Sequence, residues 1–350
     1  MPVKVWLRRP LVRGIVASVV GIGFVVIVWR ALGRPITWDS IHLAPLSLAL
    51  ASSGAVVFLA GRAWRFAILL PGQRGRLPRV AGVTGAGWGA GLLLPGPSGD
   101  VAFVAAARRV LGVSIARASG VAVLARILDL GSIALVAALA AAVSAGVQTR
   151  GVLVVAAVIA AGALVAFAAL LIPGPRAALL GFAGRLPRLS GLAGRAETAM
   201  TELSRPRVTA GLLGSTALCR VATAVQYAGL MSLVGLHLGF WQTWFALSIR
   251  TLLFTVPIQG IAGIGTSQAW WTTGLVLEGV PLSAAVAASV TIQALDLAIS
   301  LPLAAATSLF ALAGSRAPRR VPVPASADVS IPVSAIGRRA VRQTQTIDGR

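Results

Sequence analysis

Arg126 and Asp129 stand three residues apart in the run "LARILDL", inside an apolar stretch from Ala118 to Gly146. At that spacing a guanidinium and a carboxylate share one helix face and can pair, which offsets the cost of taking either one alone out of water. The same residue types also do chemistry at membrane depth, because arginine binds phosphate bidentately and intramembrane charges mark substrate or proton pathways. Asp296 holds the matching place in a second run, "IQALDL", where Gln293 replaces the arginine. Arg250 is the expected partner, either for Asp296 or for a lipid phosphate, and an Asp296 without a cation makes a proton-coupled step conceivable. Asp100, at the end of "LLLPGPSGD", either caps a short helix or contacts a headgroup. Arg62 and Arg65 form one face beside Trp64, as snorkelling anchors at a span end or as phosphate contacts.

Other chemistries find no support in the residues. His42 and His237 are isolated from each other and from paired carboxylates, so no metal site is expected. No nucleophile elbow, P-loop or HExxH motif is present, and no cofactor is implied. Cys219 is the single cysteine, so no intramolecular disulfide forms. The 31 basic residues against 9 acidic ones fall between apolar runs rather than in a patch interleaved with aromatics, which excludes nucleic acid and fits cytoplasmic loops. Gly85, Gly87, Gly89 and Gly91 alternate in "TGAGWGAG" and suggest close helix contact. Trp241, Trp244, Trp270 and Trp271 suggest an interfacial belt.

The elements that must position these residues are membrane helices. The 350 residues are 57% hydrophobic and 11% charged, with a mean hydropathy of +0.87, and a helix crosses a bilayer in roughly 20 apolar residues. Six full spans are expected, at Gly14 to Leu32, Leu43 to Gly61, Ala118 to Gly146, Gly151 to Ile172, Val208 to Gly235 and Leu282 to Ala313. Two further apolar regions, Val80 to Val110 and Phe240 to Glu278, are interrupted by "PGPSGD" and "PIQGIAGIGTSQ" and read as re-entrant pairs of short helices. Arginine clusters before the first span, after the second and between Pro173 and Val208 place both termini in the cytoplasm and the chain in the cell (inner) membrane. The first 33 residues are too long and too apolar for a cleaved signal and read as a retained span. Residues 1–313 form the membrane domain, and 314–350, rich in Pro, Ser and Ala, form a disordered basic cytoplasmic tail.

The fold class is therefore all-α, with a repeat inside it. "GVSIARASGVAVLARILDL" over "GVPLSAAVAASVTIQALDL" matches at seven of nineteen positions, Asp129 on Asp296 among them. Each copy follows a broken hairpin, which divides the domain into halves of about 43–147 and 208–313. The charge bookkeeping makes the halves inverted repeats. Non-helical backbone at membrane depth is tolerated only inside protein or along a wet cavity. The two tips should therefore meet at a polar chamber, their half-helix N–H groups facing an anion.

On "GRAWRFAILLPG", "LLLPGPSGD" followed by "RRVLGVS", "LARILDL" and "FTVPIQGIAGIGTSQAWW" the chain resembles the lysylphosphatidylglycerol synthase transmembrane region, a flippase-like family, from about Arg62 to Phe310. In that family the first break carries an arginine and both breaks end in glutamate. Here Pro97 and Ser98 lie where the arginine would fall, Asp100 stands for one glutamate and Gln268 for the other. The resemblance implies translocation of an anionic phospholipid or lipid-linked precursor, with no soluble synthase domain attached. The residues expected to bind substrate are Arg62, Arg65, Pro95, Ser98, Gly99, Asp100, Arg126, Asp129, Arg250, Pro257, Gly263, Gly265, Gln268 and Asp296. The alternatives are a membrane-embedded enzyme or subunit acting on a lipid-linked substrate, and a scaffold for a partner synthase or a second copy of the chain.

Overall fold

The structure, a computed structural model, describes residues 44–70, 72–95, 97–144, 206–253 and 260–314, with scattered single positions elsewhere. The expected spans Gly14 to Leu32 and Gly151 to Ile172, most of the arginine-rich loop and the tail lie outside the described residues. Those described form eight α-helices: α1 Pro45–Leu69, α2 Leu77–Leu93, α3 Ser98–Ala106, α4 Ile115–Ser144, α5 Pro206–Leu233, α6 Phe240–Leu253, α7 Thr266–Leu277 and α8 Leu282–Gly314. A π-turn, Ala107–Leu111, extends α3, and short 3-10 turns precede α2 and α7. Among the described residues the class is all-α.

Four helices, α1, α4, α5 and α8, are long and apolar enough to cross a membrane, with lengths of 25 to 30 residues and mean hydropathies of 1.4 to 2.0. At 1.5 Å per residue, 25 residues reach beyond the roughly 30 Å hydrocarbon core. They correspond to four of the six expected spans. The second runs to Leu69, eight residues past the expected end at Gly61. Arg62 and Arg65 therefore lie inside the helix rather than after it.

Each interrupted region forms two shorter helices that lie against one another, α2 with α3 and α6 with α7. At 9, 14 and 12 residues, α3, α6 and α7 are too short to cross alone. The first pair is antiparallel and closes over glycine: a Cβ on Gly99 would meet the Gly87 carbonyl at 2.7 Å, and one on Gly87 would meet Phe103. Small residues let backbones approach where no hydrophobic effect drives helices together. Gly85 and Gly89 face α8 instead, at Thr307 and Ala304. In the second pair Gly274 lies on the Ala246 backbone.

The long helices connect these pairs. α1 and α5 lie side by side and antiparallel, with Gly54 against Ala222 and Gln226, and Gly229 against Ser47 and Ala51. A hydrogen bond of 2.9 Å joins Ser47 to Ser232 at one end of that seam. The first helix of each pair then lies against a long helix distant in the chain, α2 on α8 and α6 on α4. Two buried clusters result. One gathers Trp271, Phe245, Tyr227 and Leu230, the other Phe66, Phe103, Val83 and Leu128.

Candidate functional site

Inside this arrangement is a cavity of about 220 Å³ to which every helix but α7 contributes lining residues. Its charged lining consists of Arg62 from α1, Asp100 from α3, Arg126 and Asp129 from α4, Arg220 from α5, Arg250 from α6 and Asp296 from α8. Phe58, Trp88, Tyr227 and the second tip, at Ala262 and Gly263, complete the wall. The cations outnumber the carboxylates.

Asp129 is held differently from the expected local pair. Arg65, 0% exposed, grips it with both Nη atoms, Nη1 to Oδ1 at 2.9 Å and Nη2 to Oδ2 at 3.1 Å. Arg220 Nη2 donates to the same Oδ1 at 3.0 Å. Three-residue spacing permits an Arg126 contact, but the bidentate fork from α1 has better geometry and links two helices. Arg126 turns to α3, where its Nε meets Asp100 Oδ2 at 3.0 Å. Arg65 is thus a buried ion-pair partner rather than a snorkelling anchor.

Asp100 does not cap a helix. α3 begins at Ser98 with Pro97 at its N-cap and no side-chain cap, so Asp100 sits in the first turn. Its carboxylate serves Arg126. Ser98 Oγ donates to the carbonyls of Leu94 and Ala90, at 2.8 Å and 3.3 Å, and binds α2 across the break beside Pro95. Gln268 stands at the same third position of α7 as Asp100 does in α3, and its Oε1 accepts from the Gly265 N–H. It is a capping residue.

The second tip is tied to α8. Gln293 Oε1 accepts from Ser267 Oγ at 2.6 Å, and its Nε2 donates to the Ala262 carbonyl at 3.2 Å. Ala262 has φ +53°, an uncommon conformation for a non-glycine residue, beside Gly263 and Gly265 at φ +68° and +84°. Arg126 and Gln293, three residues before their aspartates, thus each hold one tip. The second tip's N–H groups donate within the tip, Gly260 to Thr266 Oγ1 and Gly263 to the Gly260 carbonyl. The expectation that these donors face an anion gives way to arginines, since peptide groups at depth are satisfied locally first. Pro257 lies outside the described residues.

Asp296, 3% exposed, is surrounded by neutral donors: Gln226 Nε2 and Tyr227 OH at 2.8 Å and Ser300 Oγ at 2.9 Å. Arg250, the partner expected for it, lies 5.7 Å from the Tyr227 ring and 5.8 Å from that of Trp271. Trp271 is fully buried and Trp244 nearly so, so neither belongs to an interfacial belt. The Trp271 ring packs against Tyr227, a wall residue, with centroids 5.0 Å apart. Among the described residues no group of three or more His, Cys, Asp and Glu side chains forms a metal site.

Sequence reasoning missed Arg220, Gln226 and Tyr227. Arg220 was nevertheless conspicuous as the one charge between Val208 and Gly235, the same sign that singled out Arg126 and Asp129. Gln226 and Tyr227 carried no such mark.

Apolar spanning helices around a chamber of paired and surplus arginines define a helical membrane protein with an internal polar site. A family model described as the lysylphosphatidylglycerol synthase TM region matches residues 14–304. The chain belongs to that family. A comparison with curated proteins and another with solved structures gave no match.

Proposed function

We propose that this membrane protein translocates an anionic phospholipid, or a lipid-linked precursor with the same phosphate chemistry, across the cytoplasmic membrane, and is not an enzyme. The observation that carries the reading is the chamber itself. Its lining places four arginines against three aspartates, inside a protein built of lipid-facing helices. A surplus of cations around a chamber at membrane depth calls for an anion from outside. A phosphate headgroup supplies one, while its acyl chains stay among apolar helices.

In this reading the halves are inverted repeats and each short helix pair is a re-entrant hairpin. Three features support it. α1 and α5 run antiparallel, α2 on α8 mirrors α6 on α4, and Arg126 and Gln293 play one part at the two tips. Such symmetry is how many transporters open alternately to either side around a fixed site. Both termini lie in the cytoplasm.

The reading is tested in proteoliposomes carrying labelled phosphatidylglycerol. Wild type should move label between leaflets well above protein-free vesicles, and Arg126→Ala, which frees the first tip, should be about tenfold slower, the loss expected for about 1.4 kcal/mol. No movement above background by wild type would overturn it. Covalent change of the lipid, read by mass spectrometry, would turn the assignment to an enzyme.

A further inference from the structure

Resting on that reading and deepening it, we propose that the lipid phosphate binds between Arg62 and Arg220, and that Asp129 is the resident counter-ion that holds Arg220 until substrate takes its place.

The other cations are committed. Both Nη groups of Arg65 are on Asp129, and Arg126 is engaged by Asp100. Arg250 lies in the second half, against Tyr227 and Trp271 near Asp296. Arg62 differs from all of them. Among the described residues its guanidinium makes no hydrogen bond or ion pair, and its Nε, like those of Arg65, Arg220 and Arg250, is buried without a partner. The rings of Phe58 and Phe66, at 5.6 Å and 5.8 Å, hold it instead. A cation held over aromatic faces keeps its N–H donors for something else.

Arg220 is half-committed. A single Nη2 contact joins it to Asp129, and its Nε is buried without a partner. Arg62, Arg65 and Arg220 are all close enough to act on the Asp129 charge, so three guanidinium groups answer to one carboxylate. Arg62 on α1 and Arg220 on α5 both line the chamber, so an anion bound there can draw donors from two walls. A phosphodiester fits, because it carries one negative charge on two oxygens suited to guanidinium forks.

The exchange strands no charge. When a phosphate oxygen replaces Asp129 Oδ1 at Arg220, Asp129 keeps both bonds to Arg65, and release of the lipid lets Arg220 return. A carboxylate left with no cation would make the step far more costly. Asp129 thus sets how tightly phosphate is held and is a positioning residue rather than a ligand.

The experiment uses the full chain in dodecyl maltoside micelles, whose headgroup carries no phosphate, titrated calorimetrically with short-chain phosphatidylglycerol and, separately, with inorganic phosphate. Arg62→Gln and Arg220→Gln should each weaken phosphatidylglycerol binding at least tenfold, with Arg62→Lys recovering part of the loss. Where Arg62→Gln fails to fold, Phe58→Leu keeps the charge and removes one ring that aims it, and about threefold weaker binding is expected. Wild-type affinity in both glutamine variants would overturn the subsite. Inorganic phosphate should bind more weakly through the same two arginines, and equal affinity for it would overturn the lipid assignment. If wild type moves no lipid in vesicles while the variants lose binding, transport falls and the subsite stands. If wild type moves lipid and both variants bind as it does, the subsite falls and transport stands.

Discussion

Asp129 carries more structure than any other single side chain of the chamber, since it joins α4 to α1 through Arg65 and to α5 through Arg220. Removing one member of a buried pair leaves an uncompensated charge, which costs more than the pair itself contributes. Asp129→Leu, which leaves the fully buried Arg65 without a carboxylate, should therefore destabilise the protein by about 3–5 kcal/mol, read from unfolding in detergent. The double variant Arg65→Met with Asp129→Leu should regain much of that, because apolar atoms of similar volume then fill the same space, while Arg220, which also loses Asp129, lines the chamber. A double variant no more stable than the single one would show that the pair has no structural share of its own. Asp296 illustrates a different solution, with hydrogen bonds from three neutral donors.

The helices differ in what holds them. Those of the long seam meet at Gly54 and Gly229, where any Cβ would strike backbone. The short pairs depend on their tips, and the tips depend on one side chain each, Arg126 for the first and Gln293 for the second. Deleting the Gln293 amide removes its bonds to Ser267 and Ala262 together. Gln293→Ala should raise amide hydrogen exchange across residues 260–268 at least tenfold and leave α1 and α5 unchanged. Exchange unaltered in the tip would mean that its own internal hydrogen bonds suffice. Ala262 at φ +53° is the conformation such a tie helps to hold.

For the molecule as a whole, the reading as a transporter requires that the chamber be wet. Thr223 lines it, while Thr243 is buried away from it, and the native Cys219 is fully buried. Thr223→Cys should accordingly react with a water-soluble maleimide, and neither wild type nor Thr243→Cys should. A Thr223→Cys protein that resists the reagent from both faces would leave no aqueous path for a headgroup.

Apolar runs with a boundary every twenty to thirty residues were legible directly, because a helix is a local object whose partner is the surrounding lipid. The two proline and glycine breaks were legible for the same reason: proline removes a donor within its own turn. The likeness of the two runs that end in Asp129 and Asp296 could be read from the sequence alone. Partners could not. Arg126 and Asp129 satisfied the local rule for a pair, yet each found a better partner on another helix. Arg220, Gln226 and Tyr227 acquired their roles from α5 lying against α1 and α8. Arg62 became a cation over two rings only because Phe58 and Phe66 share its helix face and nearby acids were already taken. The sequence by itself determined which segments are helical and where they break, since those are decided within a few residues. Only the tertiary structure decided which charges meet, because at membrane depth a charge settles on the best geometry that any neighbouring helix offers.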